Sequence, residues 1–100
     1  YKFSNKKLTK IKNLAVVASF NNKAVIDDYV IYYLKELNKV CDGIIFIADN
    51  PIIKEEIDKI KKYVIYAEFK RHKEYDFGSY KKGYEYALKN GYLLNIENLI

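Results

Sequence analysis

The sequence has few of the residues that hold small domains together covalently or through a metal. It contains one cysteine, Cys41, one histidine, His72, and no methionine or tryptophan. A single cysteine excludes an internal disulfide and is typical of a reducing compartment. One cysteine and one histidine are also too few for a four-ligand zinc site. We therefore expect no metal site in this segment, and we expect Cys41 to be a small packed hydrophobic residue.

Long apolar runs and linkers are also missing. The longest apolar run, Gly43 to Ala48, is far shorter than the roughly 18 residues that indicate a membrane span. Residues 1–12 are polar and lysine-rich, unlike a signal peptide. The chain does not begin with methionine, which indicates a segment trimmed from a longer protein. Because no linker interrupts its 100 residues, we expect a single domain covering 1–100.

The composition that remains is typical of a globular protein. Half of the residues are hydrophobic and 31% are charged. The net charge of +5 is suited to anionic partners, but the lysines are interleaved with acidic residues, as on a solvated surface. Eleven tyrosines are present. Most of them lie at helical spacing, so we expect them in the core or at its rim.

Hydrophobic periodicity predicts three strand–helix units. Near-continuous apolar runs indicate strands that are buried on both faces: Asn13–Phe20, Ile44–Ala48 and Val64–Phe69. The helices are predicted at about residues 24–39, 51–62 and 77–89, and a fourth strand begins at 98–100. Short crossovers of this kind predict a parallel sheet of three to four strands with helices on its faces.

The same periodicity predicts the helix ends and the side chains that face the core. Asn22 and Asn50 are suited to cap the first two helices, with Pro51 at the first position of the second. The predicted inward-facing residues are Ile26, Val30, Tyr33, Leu34, Leu37, Ile53, Ile57, Ile60, Tyr80, Tyr84, Ala87 and Leu88.

Ligands of parallel α/β sheets bind beyond the carboxyl ends of the strands. This rule selects the segments Ser19 to Asn22, Ala48 to Asn50 and Phe69 to Gly78. Together they could form a hydrogen-bonding cluster that holds a nucleotide base and ribose. In the third segment Asp76 is either a ligand contact or a helix cap, and Gly78 and Gly83 allow close backbone approach or serve packing alone.

The third segment continues into a string that resembles a known family. Residues 75–83 read YDFGSYKKG, similar to the GYDFGSYKxG element of the rhamnan synthesis protein F family. The rest of the chain is collinear with that family. Residues 15–20 resemble its first strand, residues 26–37 its vddYVxYYLxxL helix, and residues 44–50 its iiFvsNs strand.

The resemblance implies a three-layer, Rossmann-like and GT-A-like fold. The family consists of glycosyltransferase-like proteins of bacterial capsule, lipopolysaccharide and rhamnan synthesis. The chain would then be the front half of a transferase that binds a nucleotide-diphosphate sugar and passes the sugar to a polysaccharide, in the cytoplasm at the inner face of the membrane. By position, Ser19, Phe20 and Asn21 would lie near the base, with Asn50, Asp76 and Gly78 also contacting the donor.

The chain departs from the family at several places. The family has Asn and Gly where this chain has His72 and Glu74, and often His in place of Ser19. His72 lies in a polar, basic loop with no evident positioned partner, so we expect it to be exposed and non-catalytic. In GT-A-like enzymes an acidic motif that binds Mg²⁺ or Mn²⁺ follows the fourth strand, beyond Ile100. The resemblance thus implies no cofactor and no identified catalytic residue within this segment.

The sequence also allows two other functions, and it predicts how copies of the chain could associate. The chain is alternatively a non-enzymatic α/β module that binds a nucleotide or a partner protein. A nucleic-acid binder is the weakest reading, because no nucleic-acid motif is present. If the strand order is GT-A-like and the fourth strand is truncated, residues 14–20 are left as an open edge, and open edges recruit other chains. The sequence therefore predicts a homodimer through this edge.

Overall fold

A computed structural model of the chain describes residues 2–4, 12–20, 25–71, 75–90 and 98–99, with the backbone alone for residues 75–77 and 98–99. The strands are β1 (Lys2–Ser4), β2 (Asn13–Ser19), β3 (Gly43–Ala48), β4 (Tyr66–Phe69) and β5 (Asn98–Leu99). The helices are α1 (Asp28–Leu37), α2 (Lys54–Ile57) and α3 (Tyr75–Lys89). The predicted α/β class is confirmed.

The five strands form one mixed sheet in the order β1-β4-β3-β2-β5. Strands β2, β3, β4 and β5 are parallel to one another, whereas β1 pairs antiparallel with β4. The prediction of a purely parallel sheet is therefore wrong at one edge. The added strand comes from the lysine-rich N-terminal segment, where three residues are too few to give a readable periodicity.

The sheet buries side chains on both faces, which produces three layers. Alternate residues along a strand point to opposite faces. On one face, Phe46 and Phe69 pack with Leu34 of α1 and with Ile57 of α2. The ring centroids of the two phenylalanines are 5.6 Å apart. On the other face, the second core is formed by Leu14, Ile45, Ile47, Ile65, Tyr66 and Ala87. Helices α1 and α2 thus cover one face and α3 covers the other.

The first two helices are shorter than the sequence predicts. Helix α1 begins at Asp28 with Asp27 as its N-cap residue, and the predicted cap, Asn22, lies outside the described residues. Helix α2 begins after Ile53, so Asn50 and Pro51 do not start it. The two positions instead lie between β3 and α2, which keeps Asn50 at the edge of the sheet.

Tight turns replace the second half of the predicted second helix. The Ile60 N–H donates to the Ile57 carbonyl at 3.0 Å, and the Tyr63 N–H donates to the Ile60 carbonyl at 2.9 Å. These are three-residue steps, which wind more tightly than an α-helix. Ile57 and Ile60 are buried as predicted. Ile53 is exposed, contrary to the prediction, because its extended backbone lies before the first turn of α2.

Helix α3 packs on the sheet with its small residues and with Tyr86. Ser79, Gly83 and Ala87 recur every fourth residue and are buried. A Cβ atom on Gly83 would overlap Cγ1 of Val16, so the glycine permits this close approach. Leu34 and Ala87 are buried as predicted, but four other positions of α1 and α3 that are predicted to face inward are exposed: Tyr33, Tyr80, Tyr84 and Leu88.

The outer edge of β2 is partly covered by β5. Asn98 and Leu99 pair with Asn13 and Leu14, which confirms the predicted start of a fourth strand. The prediction that residues 14–20 form an open edge is therefore wrong at Leu14. Within the described part of the chain, residues 15–19 have no strand on that side.

A polar cluster fastens β1 and α3 to β4. The Tyr66 hydroxyl donates to Oε1 of Glu68 at 2.9 Å, and the Nζ atoms of Lys2 and Lys82 each lie 3.8 Å from the same carboxylate. The ring of Tyr66 stacks on Tyr86 with centroids 3.6 Å apart. Burial, with the hydrogen bond and charge of Glu68, raises the pKa of Tyr66 well above its ordinary value. Tyr66 is therefore a neutral donor here.

Candidate functional site

The carboxyl ends of the three central strands lie in one row. Ser19 pairs with Ala48, and Ala48 pairs with Phe69. Two backbone bonds extend the row past the strands: the Asp49 N–H donates to the Ser19 carbonyl at 2.9 Å, and the Lys70 N–H donates to the Ala48 carbonyl at 3.2 Å. Because the row is continuous, the segments that follow the strands are brought to one edge of the sheet.

A cleft lies at this edge, and we call it the carboxyl-edge cleft. Its base is apolar, formed by Phe46, Ala48 and Phe69. One wall is the segment leading into α1, residues 25–27, and the opposite wall is the approach to α2, including Asn50 and Ile52. The residues that line it are Ser19, Phe20, Val25, Ile26, Asp27, Tyr29, Val30, Phe46, Ala48, Asn50, Ile52 and Phe69.

Three of the six sequence-predicted site residues lie together in this cleft. Ser19, Phe20 and Asn50 all line it. Asn21 lies outside the described residues. Asp76 lies in the first turn of α3, with its side chain outside the described set.

Gly78, the sixth predicted residue, is buried in α3 and does not belong to the lining of the cleft. Helix α3 packs on the face of the sheet opposite to α1 and α2. His72 and Glu74, which depart from the family pattern, lie outside the described residues. The cleft therefore contains predicted residues from the ends of β2 and β3. From the third predicted segment, Phe69 to Gly78, only Phe69 is among its described lining residues.

The carboxyl-edge cleft itself is narrow, but it opens into a larger hollow. Its cavity volume is about 10 Å³, which is room for about one water molecule. The adjoining hollow has a volume of about 500 Å³ and shares Ser19, Phe20 and Tyr29 with the cleft. Tyr33 of α1 also lines the hollow. Pockets of roughly 300–1,000 Å³ hold small-molecule ligands, so the hollow has the volume for one and the cleft does not.

The polar groups of the cleft are fixed, whereas its aromatic rings are exposed. The Asn50 side chain is buried, and its Nδ2 donates to the Pro51 carbonyl at 2.7 Å. Phe20 is 55% exposed and Tyr29 is 70% exposed. No lysine or arginine is among the described lining residues. This combination suits a planar, neutral ring with hydroxyl groups better than a free phosphate.

Sequence reasoning did not select Tyr29, Asp27 or Glu56, although all three belong to this edge. Tyr29 and Asp27 fall within the first turns of the helix predicted at residues 24–39, and the later start of α1 places both at the rim. Glu56 accepts the Ile26 N–H at 3.0 Å, a contact between residues thirty positions apart that no local pattern encodes. The acidic pair at the helix start was the available signal for Asp27.

Metal and membrane features are not found in the described part of the chain. No group of three or more His, Cys, Asp or Glu side chains there is placed to hold a metal ion. None of the described helices is long and apolar enough to cross a membrane. No protein family, curated protein or solved structure matches this chain.

Proposed function

We propose that this chain is the donor-binding front half of a glycosyltransferase of bacterial surface polysaccharide synthesis. The observation that carries the proposal is the meeting of Ser19, Phe20 and Asn50 at the carboxyl edge of an α/β sheet, beside a ligand-sized hollow. These are positions that the family resemblance implies for the nucleotide-diphosphate sugar. The carboxyl edge is also where open α/β sheets bind their ligands.

The strand order supports a Rossmann-like, GT-A-like fold as part of the proposal. From β4 the sheet runs through β3 and β2 to β5, so successive strands are added to one side of β2 and a later strand is added to the other. Such a reversal leaves a crevice at the carboxyl end of the strands where it occurs. The hollow beside Ser19 and Phe20 lies at the end of β2, which is where this rule expects the nucleotide.

The proposed binding mode uses the exposed rings for the base. The base stacks on Phe20 and Tyr29, the Ser19 hydroxyl contacts its edge, and Asn50 contacts the ribose. Asn21, Asp76 and Gly78 are proposed donor contacts on the resemblance alone. A divalent metal ion, the polysaccharide acceptor and a cytoplasmic place at the inner face of the membrane belong to the proposed longer protein.

A titration of the isotope-labelled chain with nucleotide sugars tests the proposal. We expect UDP-glucose, GDP-mannose or dTDP-glucose, with Mg²⁺, to shift the amide resonances of Ser19, Ala48 and Asn50 together. Phe20→Ala should weaken binding by about 1–3 kcal/mol, the usual contribution of one aromatic–base stack. Tyr32→Ala is the matched control, because Tyr32 is equally exposed on α1 but does not line the cleft or the hollow.

A non-enzymatic module that binds a partner is the second candidate. The one-water volume of the cleft and the absence of lysine and arginine from its described lining favour it. It predicts no resonance shifts with any of the three nucleotide sugars at millimolar concentration. That outcome would reject the donor-binding proposal for this chain.

We also propose that two copies pair through the outer edge of β2. The carbonyls of Asn13 and Ser19 accept N–H groups from the β3 side of the strand, and backbone groups alternate sides along a strand. The N–H and C=O groups of Val16 and Ala18 therefore point to the outer edge. An antiparallel pair centred on Val17 would match Val16 of one copy with Ala18 of the other, and the edge carries no like charges to oppose it.

A further inference from the structure

Glu56 connects the two walls of the carboxyl-edge cleft. It lies in α2, and its Oε1 accepts the backbone N–H of Ile26 at 3.0 Å. Ile26 belongs to the wall that leads into α1, and Ile52 belongs to the wall that leads into α2. The hydrogen bond therefore spans from one wall to the element that carries the other.

The Glu56 carboxylate is held in place by a second partner. Lys59, one turn further along, donates from Nζ to the same Oε1 at 2.7 Å. The Glu56 side chain is 18% exposed, whereas Lys59 is 42% exposed. The Lys59 hydrogen bond and, second, the Ile26 N–H lower the pKa of Glu56. The group is therefore charged at neutral pH and accepts both bonds as a carboxylate.

The wall that Glu56 holds leads directly into α1. Asp27 is the N-cap residue of α1 but makes no side-chain cap hydrogen bond. Ile26 itself is buried against the core beneath α1. A backbone N–H at the entrance to a helix is an unpaired donor unless a side chain or water accepts it. Glu56 supplies that acceptor from across the cleft.

We propose that Glu56 is a positioning residue that keeps the walls of the carboxyl-edge cleft together and thereby sets its width. It does not touch the ligand; it fixes residues 25–27, which do line the cleft. The part of this inference that concerns ligand affinity rests on the proposed function. The part that concerns the width of the cleft stands without any ligand.

The test compares Glu56→Leu and Glu56→Gln with the control Glu55→Leu in the free, isotope-labelled chain. Glu55 neighbours Glu56 in α2 but is exposed, so its variant reproduces the change of charge alone. We expect Glu56→Leu to speed amide hydrogen exchange at Ile26 by about tenfold or more, because the N–H loses its acceptor. Relaxation of the Ala48 and Asn50 amides by dissolved hydroxy-TEMPO should also rise, since a wider cleft admits the probe.

Glu56→Gln should restore most of the wild-type behaviour, because the amide oxygen still accepts the Ile26 N–H. A purely structural role would lower the global stability without selectively exposing Ala48 and Asn50 to the probe. With UDP-glucose as ligand, a wall that is correctly placed only a tenth of the time weakens binding about tenfold.

The outcomes separate the two proposals. If wild type binds no nucleotide sugar but Ile26 exchange and probe access rise in Glu56→Leu, the proposed function fails and this inference stands. If Ile26 exchange and probe access are the same in Glu56→Leu and Glu55→Leu, the inference is overturned whether or not a nucleotide sugar binds.

Discussion

Asp42 shows how a single residue fastens the start of a central strand. Its Oδ2 accepts the backbone N–H groups of Lys12 and Asn13 at 2.9 and 3.0 Å. Both hydrogen bonds lower the pKa of Asp42, and the bond from Asn13 has the larger effect. Its neighbour Cys41 is buried as predicted, and burial followed by the charge of Asp42 raises the pKa of the Cys41 thiol. Cys41 and Asp42 therefore connect the end of α1 with the starts of β2 and β3.

The lowered pKa of Asp42 predicts acid sensitivity. A carboxyl whose pKa is lower in the folded state stabilises the fold above the unfolded-state pKa, about 3.9. That contribution is lost as the pH falls through the folded-state value. We expect Asp42→Asn to be less stable than wild type at pH 7, with the difference shrinking toward pH 2, as measured by urea unfolding.

Asp58→Asn is the control for this experiment, because Asp58 makes only a surface ion pair with Lys61. It should change stability little at either pH. A stability difference between Asp42→Asn and wild type that stays constant with pH would contradict the role given to the two backbone bonds.

At the level of single site residues, the sequence could select those that directly follow a strand. Ser19, Phe20 and Asn50 were predictable, because apolar runs fix where the strands end and parallel strands end at one edge. Tyr29 and Glu56 were not predictable in the same way. Their places depend on where α1 begins and on a contact between distant segments, and neither leaves a local pattern.

Among the elements, α3 shows most clearly how periodicity can select the wrong face. Its tyrosines and its small residues each recur at helical spacing, and a hydrophobic stripe predicts that the larger side chains are buried. The structure buries Gly83 and Ala87 and exposes Tyr80 and Tyr84. The small residues face the sheet because they let the axis of α3 lie close to it, whereas the rings of Tyr80 and Tyr84 remain at the rim.

Gly83→Ala tests this packing. In an ordinary helix, replacing glycine by alanine stabilises by about 0.5–1 kcal/mol. Here the added methyl would overlap Val16, and overpacking typically costs about 1–3 kcal/mol. We therefore expect the variant to unfold at lower urea concentration than wild type.

A second substitution identifies the cause. Val16→Ala, combined with Gly83→Ala, should recover part of the lost free energy of unfolding, because it removes the atoms that the new methyl meets. Tyr84→Ala, on the exposed face, should cost less than Gly83→Ala. If Gly83→Ala stabilised the chain, the close packing of α3 on β2 would be refuted.

On the scale of the whole molecule, the central layers and the start of the last strand could be predicted, whereas the first strand could not. Three buried apolar runs separated by amphipathic segments suffice to predict α/β layers. The two edge strands, β1 and β5, contain three and two residues. The pairing of β1 depends on neighbours such as Glu68, which forms an ion pair with Lys2, rather than on a sequence pattern of its own.

The part of the β2 edge that no described strand covers leads to a prediction about assembly. We expect a concentration-dependent dimer in sedimentation equilibrium, through backbone bonds of Val16 and Ala18. Ala18→Pro should shift the chain to monomer, because proline removes an outward N–H yet is tolerated at sheet edges. Ala18 also lines the ligand-sized hollow, so a bound nucleotide sugar should favour the monomer. A wild-type chain that stays monomeric at millimolar concentration would rule out the proposed pairing.

The most direct test of the central claim is an intermolecular nuclear Overhauser measurement between a saturating nucleotide sugar and the labelled chain. The proposed donor site predicts cross-peaks from the protons of the base to the rings of Phe20 and Tyr29. It predicts none to Tyr80 or Tyr84, which line the neighbouring hollow between β2, α1 and α3 and do not line the ligand-sized hollow. Cross-peaks to Tyr80 and Tyr84 alone, or no cross-peaks for any of the three nucleotide sugars, would contradict the proposal that the carboxyl-edge cleft and its adjoining hollow form a donor site.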